Sequence, residues 1–195
     1  SDRFLTSSNL LNIALQTSIL AIVAIGMTYT LLTAGIDLSV GSVMALCGAL
    51  AAGLAVRQGW GTYPGILTAL GIGAALGAVN GLMVVGGGIP PFVATLAMLG
   101  VARGLTLVYT QGRPIAGLDE SFRFWGTGDL LGLPMPIIVM LVIFVIATWV
   151  LNQTRFGVHL RAIGGNAETA RLAGIPVARD TMIVYVISGL MAALG

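Results

Sequence analysis

The sequence is poor in charge and in reactive side chains. It contains no lysine, one histidine and one cysteine, and only 8% of its 195 residues are charged. Soluble globular domains carry about 25% charged residues, so this composition argues against one. A formal net charge of +2 is too small to indicate nucleic acid as a partner. The lone Cys47 cannot form an internal disulfide, and we expect it to be a small packing residue.

The same scarcity excludes the common catalytic and metal-binding arrangements. One histidine and one cysteine cannot supply the ligands of a usual zinc site or a nucleophile with its base. The glycine-rich pieces GGGIPP and AIGGNAE lack the Lys-Ser/Thr pair of a phosphate-binding P-loop. We therefore predict no catalytic site, no metal site and no cofactor in this chain. The functions that remain are transport across a membrane and binding.

Long apolar runs dominate the chain, which is 57% hydrophobic with a mean hydropathy of +1.00. About 20 apolar residues in a helix cross the hydrocarbon core of a bilayer. Five complete spans are predicted, at 10–34, 40–56, 65–85, 92–110 and 134–151, and a truncated sixth begins at Thr181. The predicted fold class is all-α, a polytopic transmembrane helix bundle.

The charges predict the orientation of these spans. The 152–180 loop contains four arginines and two acids, whereas the 111–133 loop contains two arginines and three acids. Because cytoplasmic loops are enriched in basic residues, the 152–180 loop is placed in the cytoplasm. Counting back then places the 111–133 loop, the Arg57 turn and Ser1 outside, and GGGIPP and GIDLSVGS toward the inside.

A short helix is predicted inside the cytoplasmic loop, from Asn166 to Ala173. Asn166 is a good N-cap, Glu168 falls in the first turn, and Gly174 and Pro176 end the helix. Isolated helices below about 12 residues are marginal in water, so its caps and the flanking spans must preset it. This suits a rigid surface offered to another protein. Three small residues would form its narrow outward face: Ala167, Ala170 and Ala173.

Arg103 lies inside the fourth predicted span. An arginine at the centre of a span costs at least about 2.5 to 3.5 kcal/mol. The favoured interpretation is that it snorkels outward or pairs with Asp119 or Glu120 and so anchors the outer loop. The other interpretation is that it lines a path for hydroxyl-rich or anionic solutes.

Other polar and small residues in the spans have structural interpretations that we favour. Asp37 and Ser39 precede the second span and could cap it, rather than touch solute. Asn80 is more often interhelical glue than a ligand. Stripes of small residues suit close helix packing, although they could also line a narrow pathway. They are Ala69, Gly73, Gly77 and Gly81 on the third span, and Gly41, Ala45, Ala49 and Gly53 on the second.

Three stretches carry a family resemblance. GIDLSVGS at 35–42, AIGGNAETARLAGI at 162–175 and PFVATLAMLGVARGLTLVYTQG at 91–112 resemble the permease subunits of ribose-type bacterial ABC sugar importers. Branched-chain amino acid permeases fit these motifs less well. The resemblance implies a single type II ABC importer-like permease domain over 1–195 in the bacterial inner membrane. It also implies a fragment lacking the first span and the C-terminal spans, in agreement with the missing initiator methionine.

The resemblance further implies partners. Two permease copies, identical or closely related, would work with cytoplasmic ATPase subunits that hold ATP and Mg, surrounded by membrane lipid. A periplasmic binding protein would deliver a monosaccharide such as ribose, xylose or galactose. The permease would have no catalytic site of its own. The family's coupling helix, which docks on the ATPase, would correspond to Gly164, Gly165, Asn166, Ala167, Glu168, Thr169, Ala170, Arg171, Leu172, Ala173 and Gly174.

Alternative functions stay open from the sequence alone. Half of an ion-coupled secondary transporter would favour intramembrane acids beside broken helices, and Asp37 is the only candidate. That alternative would leave the 166–173 helix without an evident role. An ABC permease for another small polar solute, such as a branched-chain amino acid or a nucleoside, is a second alternative. A membrane scaffold or receptor subunit is a third.

Overall fold

The computed structural model describes residues 5–130 and 132–195, in which helices predominate. In chain order the helices are α1 (Ser7–Leu32), α2 (Val40–Arg57), α3 (Thr62–Val85), α4 (Pro91–Thr110), α5 (Glu120–Thr127), α6 (Met135–Gln153), α7 (Arg155–Gly165), α8 (Ala167–Leu172) and α9 (Val177–Leu194). One antiparallel hairpin pairs β1 (Asp129–Leu130) with β2 (Leu133–Pro134). Six of the described helices, α1, α2, α3, α4, α6 and α9, are long and apolar enough to cross a membrane. The predicted all-α polytopic bundle is confirmed.

The sixth span begins earlier than the sequence predicted. We expected it to start at Thr181, but α9 starts at Val177, directly after Pro176. A proline suits this position because it lacks the N–H that would have no partner at a helix start. The early start places Asp180 in the first turn, where its side chain is buried.

A helix that we did not predict, α7, directly follows α6. The extended backbone of Thr154 separates the two helices. Gly157 lies against the Leu151 carbonyl so closely that a Cβ there would collide with it. The buried residues of α7 are Gly157, Leu160 and Ile163, an amphipathic spacing typical of a helix lying on a bundle.

The closest helix packing joins α3 to α9 through glycines. A Cβ at Gly77 would collide with the Tyr185 carbonyl, and one at Gly189 with the Gly73 carbonyl. Small residues allow such backbone approach in lipid, so the packing role predicted for the α3 stripe is confirmed. The predicted α2 stripe is packed only in part: a Cβ at Gly53 would collide with Tyr109 of α4, whereas Gly41 is exposed and a Cβ there would meet no atom within 4 Å.

The buried core lies mainly where α2, α3, α4 and α9 meet. Cys47 is fully buried there, as expected for a packing residue. A second cluster of Tyr29, Leu160 and Val184 joins α1, α7 and α9. The members of the first cluster are Val43, Leu46, Cys47, Ala51, Ala69, Met98, Ala102 and Ala192.

Contacts between helix ends reproduce the predicted alternation of loops. On one side, Arg57 at the end of α2 donates to the Tyr109 carbonyl near the end of α4, at 3.1 Å. On the other side, Asn80 near the end of α3 donates to Ser39 before α2, at 2.9 Å. The assignment of the second side to the cytoplasm stays a prediction from the arginines. Ser1, predicted to lie outside the cell, falls outside the described residues.

Candidate functional site

The short helix α8 has both of the predicted caps. The Asn166 side-chain oxygen accepts from the Thr169 N–H at 2.9 Å. At the other end, Gly174 adopts a φ of +84°, and the Ile175 N–H donates to the Ala170 carbonyl at 3.0 Å. A positive φ here is typical of a glycine that ends a helix. These bonds satisfy backbone groups that a helix of six residues would otherwise leave free.

The outward face of α8 differs from the predicted one. Ala170 is only 4% exposed, so the prediction that it faces outward with Ala167 and Ala173 is wrong. This short helix packs against α7 and α9, and its small residue fits that contact. Leu172 is 82% exposed instead. Glu168 and Arg171 form an exposed ion pair of 2.6 Å. We name Glu168, Arg171 and Leu172 the α8 surface.

A buried carboxylate holds together the two helices that flank α8. Asp180 on α9 is fully buried and lies 2.7 Å from Nδ1 of His159 on α7. Arg179 donates to the other carboxylate oxygen at 2.9 Å. Buried charges need such partners. None of these residues was predicted as part of a site. The only signal of this contact in the sequence was that the lone histidine, His159, and an acid, Asp180, lie on opposite sides of the 166–173 helix.

A second group of polar side chains is buried between helices. Asp37 Oδ1 accepts from the N–H and the hydroxyl of Ser39, at 2.9 and 2.6 Å. Its Oδ2 accepts from the Ser188 hydroxyl of α9 at 2.7 Å, and Asn80 of α3 donates to the Ser39 hydroxyl at 2.9 Å. We name these four residues the polar cluster. Ser188 had not been predicted as a member.

The predicted capping role is wrong for Ser39, whereas Asp37 accepts from the backbone N–H of Ser39, the N-cap residue itself. Ser39 is the N-cap residue of α2, but its side chain makes no capping hydrogen bond. Its hydroxyl is committed to Asp37 instead. Asn80 links α3 to the segment before α2, as interhelical glue would.

The segment that carries Asp37 has no regular secondary structure, and its buried residues Gly35, Asp37 and Ser39 alternate with the exposed Ile36 and Leu38. The Thr95 hydroxyl of α4 accepts from the Leu38 N–H at 3.1 Å and lies within hydrogen-bonding distance of the Ile36 and Pro91 carbonyls. Irregular backbone at membrane depth is tolerated where protein surrounds it. The polar cluster and Thr95 therefore supply the partners that this segment would otherwise find in water.

Arg103 has none of the predicted ion-pair partners. It is exposed on α4, and no ion pair joins it to another residue in the part of the chain that the structure describes. Asp119 is instead the N-cap of α5, where it accepts from the Phe122 N–H at 3.0 Å and from Thr62 of α3 at 3.0 Å. The predicted ion pair with Asp119 or Glu120 is therefore wrong. The snorkelling alternative is not contradicted.

The cap also changes the acidity of Asp119. The hydrogen bond from the Phe122 N–H, followed by that from the Thr62 hydroxyl, lowers the pKa of this carboxyl. Both bonds favour the charged form. The outer loop is thus fastened to the start of α3 by an ionised side chain.

Outside the polar cluster, the described residues form an apolar cleft and no group of metal ligands. A cleft of about 700 Å³ lies beneath α5, lined mostly by apolar residues of α1, α2, α3 and α6. It contains none of the polar-cluster residues. Across residues 5–130 and 132–195, no three His, Cys, Asp or Glu side chains come together as metal ligands.

Six apolar helices, an enclosed polar cluster and a preset helix on the arginine-rich side define a polytopic membrane protein of the permease type. Residues 9–195 match the family described as branched-chain amino acid transport system / permease component, and the chain belongs to this family. It is a multi-pass protein of the bacterial inner membrane. The predicted ribose-type resemblance is confirmed by its relatives.

Two of these relatives are ribose import permeases. The chain is 45% identical to the ribose import permease protein RbsC of Escherichia coli (strain K12), over 100% of this chain and 61% of that protein. It is 47% identical to RbsC of Bacillus subtilis (strain 168), over 98% and 60%. The D-allose transport system permease protein AlsC of Escherichia coli (strain K12) is 34% identical, over 99% and 59%. The chain thus spans about three fifths of these relatives. No solved structure matches it significantly.

Proposed function

We propose that this chain is the membrane-spanning permease subunit of an ATP-driven importer that carries a monosaccharide of the ribose type. The proposal is supported by the family match and by relatives whose names specify import of ribose, D-allose and fructose. The chain itself is a transport subunit and not an enzyme, so ATP and Mg would bind to a partner.

The α8 surface is the observation that carries the proposal. A six-residue helix capped at both ends is held against α7 and α9, and the His159–Asp180 contact links those two helices. Leu172 nevertheless stays 82% exposed. An exposed leucine on a preset helix suits insertion into a groove, because ordering the helix costs no further entropy on binding. We propose that this groove belongs to the cytoplasmic ATPase.

The other proposed partners follow from the same family. A periplasmic binding protein would deliver the sugar at the outer side, where α5 and the hairpin lie. A second permease copy, identical or closely related, would complete the solute path in the lipid bilayer. The relatives offer no support for the ion-coupled alternative, and Asp37 is engaged by three hydrogen bonds from neutral groups.

The test is ATP-driven uptake of D-ribose by the intact complex in proteoliposomes. Leu172→Glu should insert into the membrane normally but reduce uptake at least about tenfold, since an interface anchor contributes about 2 kcal/mol or more. Val158→Glu is the matched control, because Val158 is also a largely exposed apolar residue, 60% exposed, on the neighbouring α7. It should leave most of the uptake intact. D-allose and D-fructose, added as competitors, would define the sugar class.

Two results would contradict the proposal. Wild-type proteoliposomes that hydrolyse ATP without accumulating any of the three sugars would exclude this solute class. Equal uptake by Leu172→Glu and wild type would exclude the α8 surface as the ATPase contact.

A further inference from the structure

Arg103 lies on the side of α4 that points away from the bundle. The buried residues of α4 are Ala94, Thr95, Met98 and Ala102, and they face α2 and α3. Residues on the opposite side are exposed: Leu96, Gly100, Arg103, Gly104 and Leu107. Arg103 is therefore a charge on a free surface of a membrane-spanning helix.

Its depth makes lipid a poor environment for this charge. Arg103 precedes Thr110, the outer end of α4, by about 10 Å of helix at 1.5 Å per residue. Charged residues in spans almost always face the bundle interior or a water-filled cavity. Arg103 does not face the interior of the bundle formed by the described residues.

Arg103 has two exposed glycines beside it on α4, among exposed apolar residues such as Leu96 and Leu107. A Cβ at Gly100 or Gly104 would meet no atom within 4 Å, so the surface next to position 103 is open. At Gly73, Gly77 and Gly81 of α3, by contrast, a Cβ would collide with atoms of α9. The helix α6, unlike α4, contains no charged residue, and Val142, Phe144, Val145, Ile146 and Trp149 are exposed on it.

We propose that the face of α4 formed by Gly100, Arg103 and Gly104 lines the water-filled path of the solute, and that Arg103 donates hydrogen bonds to the hydroxyl groups of the passing sugar. A guanidinium has five N–H donors and no acceptor, and sugar hydroxyls accept such bonds. Glycines on both sides leave room for a ring beside the charge. This inference rests on the proposed function and adds to it the residue that contacts the solute.

The first test measures water access and does not depend on transport. Single cysteines replace Arg103 or Val142 in a Cys47→Ser background of the intact complex. Val142 is the matched control, since it is 52% exposed on α6 and similarly distant from the outer end of its helix, Met135. The probe is the charged, membrane-impermeant reagent 2-sulfonatoethyl methanethiosulfonate. The Arg103→Cys thiol should react at least about tenfold faster than the Val142→Cys thiol, because the thiolate that reacts forms in water and not in lipid.

D-ribose, added with binding protein, should slow the reaction at position 103 only. Equal and slow labelling at both positions would overturn the proposal and leave Arg103 as a snorkelling residue in lipid. The outcome is readable even if the proposed function fails, because labelling requires no uptake. Fast labelling at position 103 that D-ribose leaves unchanged would contradict the contact with sugar.

The second test separates solute contact from folding. Arg103→Gln should lower the maximal uptake rate or raise the transport KM for D-ribose about tenfold, the loss expected for a hydrogen bond to a charged group. Arg103→Lys should recover part of the lost transport. The amount of folded protein should stay at the wild-type value. Reduced folded protein with normal transport per molecule would instead assign Arg103 a structural role. Failure of the wild type to transport would count against the proposed function alone.

Discussion

At the scale of single residues, Asp37 connects three parts of the chain that are distant in sequence. Its carboxylate accepts three hydrogen bonds, two from Ser39 and one from Ser188 of α9. Through Ser39 it is also linked to Asn80 of α3. Hydrogen bonds in which one partner is ionised are about twice as strong as neutral ones. Asp37 therefore stabilises the inner end of the bundle more than its position in a connecting segment suggests.

Asp37→Asn should lower the stability of the protein by about 2 kcal/mol, because an amide offers one acceptor oxygen where the carboxylate offers two. Ser188→Ala should cost about 1 kcal/mol, since it removes only one donor. Thermal unfolding in detergent measures both. The control is Thr28→Ala, whose exposed hydroxyl bonds only within its own helix. An unchanged midpoint in Asp37→Asn would show that the cluster does not stabilise the bundle.

Residues with a local role were predictable and residues with a distant partner were not. Asn166 and Gly174 cap α8 through rules that depend only on neighbours in sequence. The partnership of Asp37 with Ser188 spans 151 residues, and no pattern in the sequence points to it. Ala170 was predicted on the wrong face because the position of α7 was unknown.

At the scale of elements, the six spans were predicted to within a few residues because bilayer thickness determines the required length of an apolar helix. The missed element, α7, has no such external constraint. It is an amphipathic helix of 11 residues within a charged segment. Its apolar residues face α1 and α9, which only the tertiary structure reveals.

The contact between α3 and α9 should be sensitive to a single side chain. Gly77→Val should reduce stability by about 3 kcal/mol or more, because the new atoms must displace the backbone of α9. Gly71→Val is the control on the same helix, where a Cβ meets nothing within 4 Å. The yield of monodisperse protein in detergent compares them. Similar yields for the two variants would contradict the close packing of α3 on α9.

The attachment of α5 should depend on pH through Asp119. Its folded-state pKa is lowered, so the ionised side chain stabilises the attachment above the unfolded pKa of about 3.9. This stabilisation is lost as the pH falls through the folded pKa. The protection of the α5 amides, measured relative to their intrinsic exchange rate at each pH, should therefore fall on acidification and, at neutral pH, in Asp119→Asn. Glu120→Gln, which changes the neighbouring acid outside the cap, should have little effect. Equal protection of α5 in Asp119→Asn and wild type would argue against this role.

At the scale of the whole molecule, α8 and the polar cluster are connected through α7 and the end of α1. Gly164 of α7, close in sequence to α8, lies against the Leu32 carbonyl at the end of α1. The irregular segment that follows α1 carries Asp37, which accepts a hydrogen bond from Ser188 of α9. Packed residues therefore lie between α8 and the membrane interior, and a displacement of α8 would press on them.

The class of the molecule was accessible from the sequence because it depends on composition. Apolar length identified the spans, and the arginines predict which loop is cytoplasmic. A path-lining role for Arg103 was, from the sequence, one of two interpretations. The side of α4 that faces away from the bundle emerged only once the buried positions, such as Thr95 and Ala102, were known.

The central claim, that α8 is the surface on which a cytoplasmic ATPase docks, is tested most directly by cross-linking. Leu172→Cys in a Cys47→Ser background is labelled with a maleimide that carries a photoreactive benzophenone, in membranes that contain the whole complex. Irradiation should join this position to the ATPase subunit, because Leu172 projects from the α8 surface. Val158→Cys on α7, treated identically, should give much less product. Absence of the ATPase adduct at position 172, or equal adducts from both positions, would contradict the account.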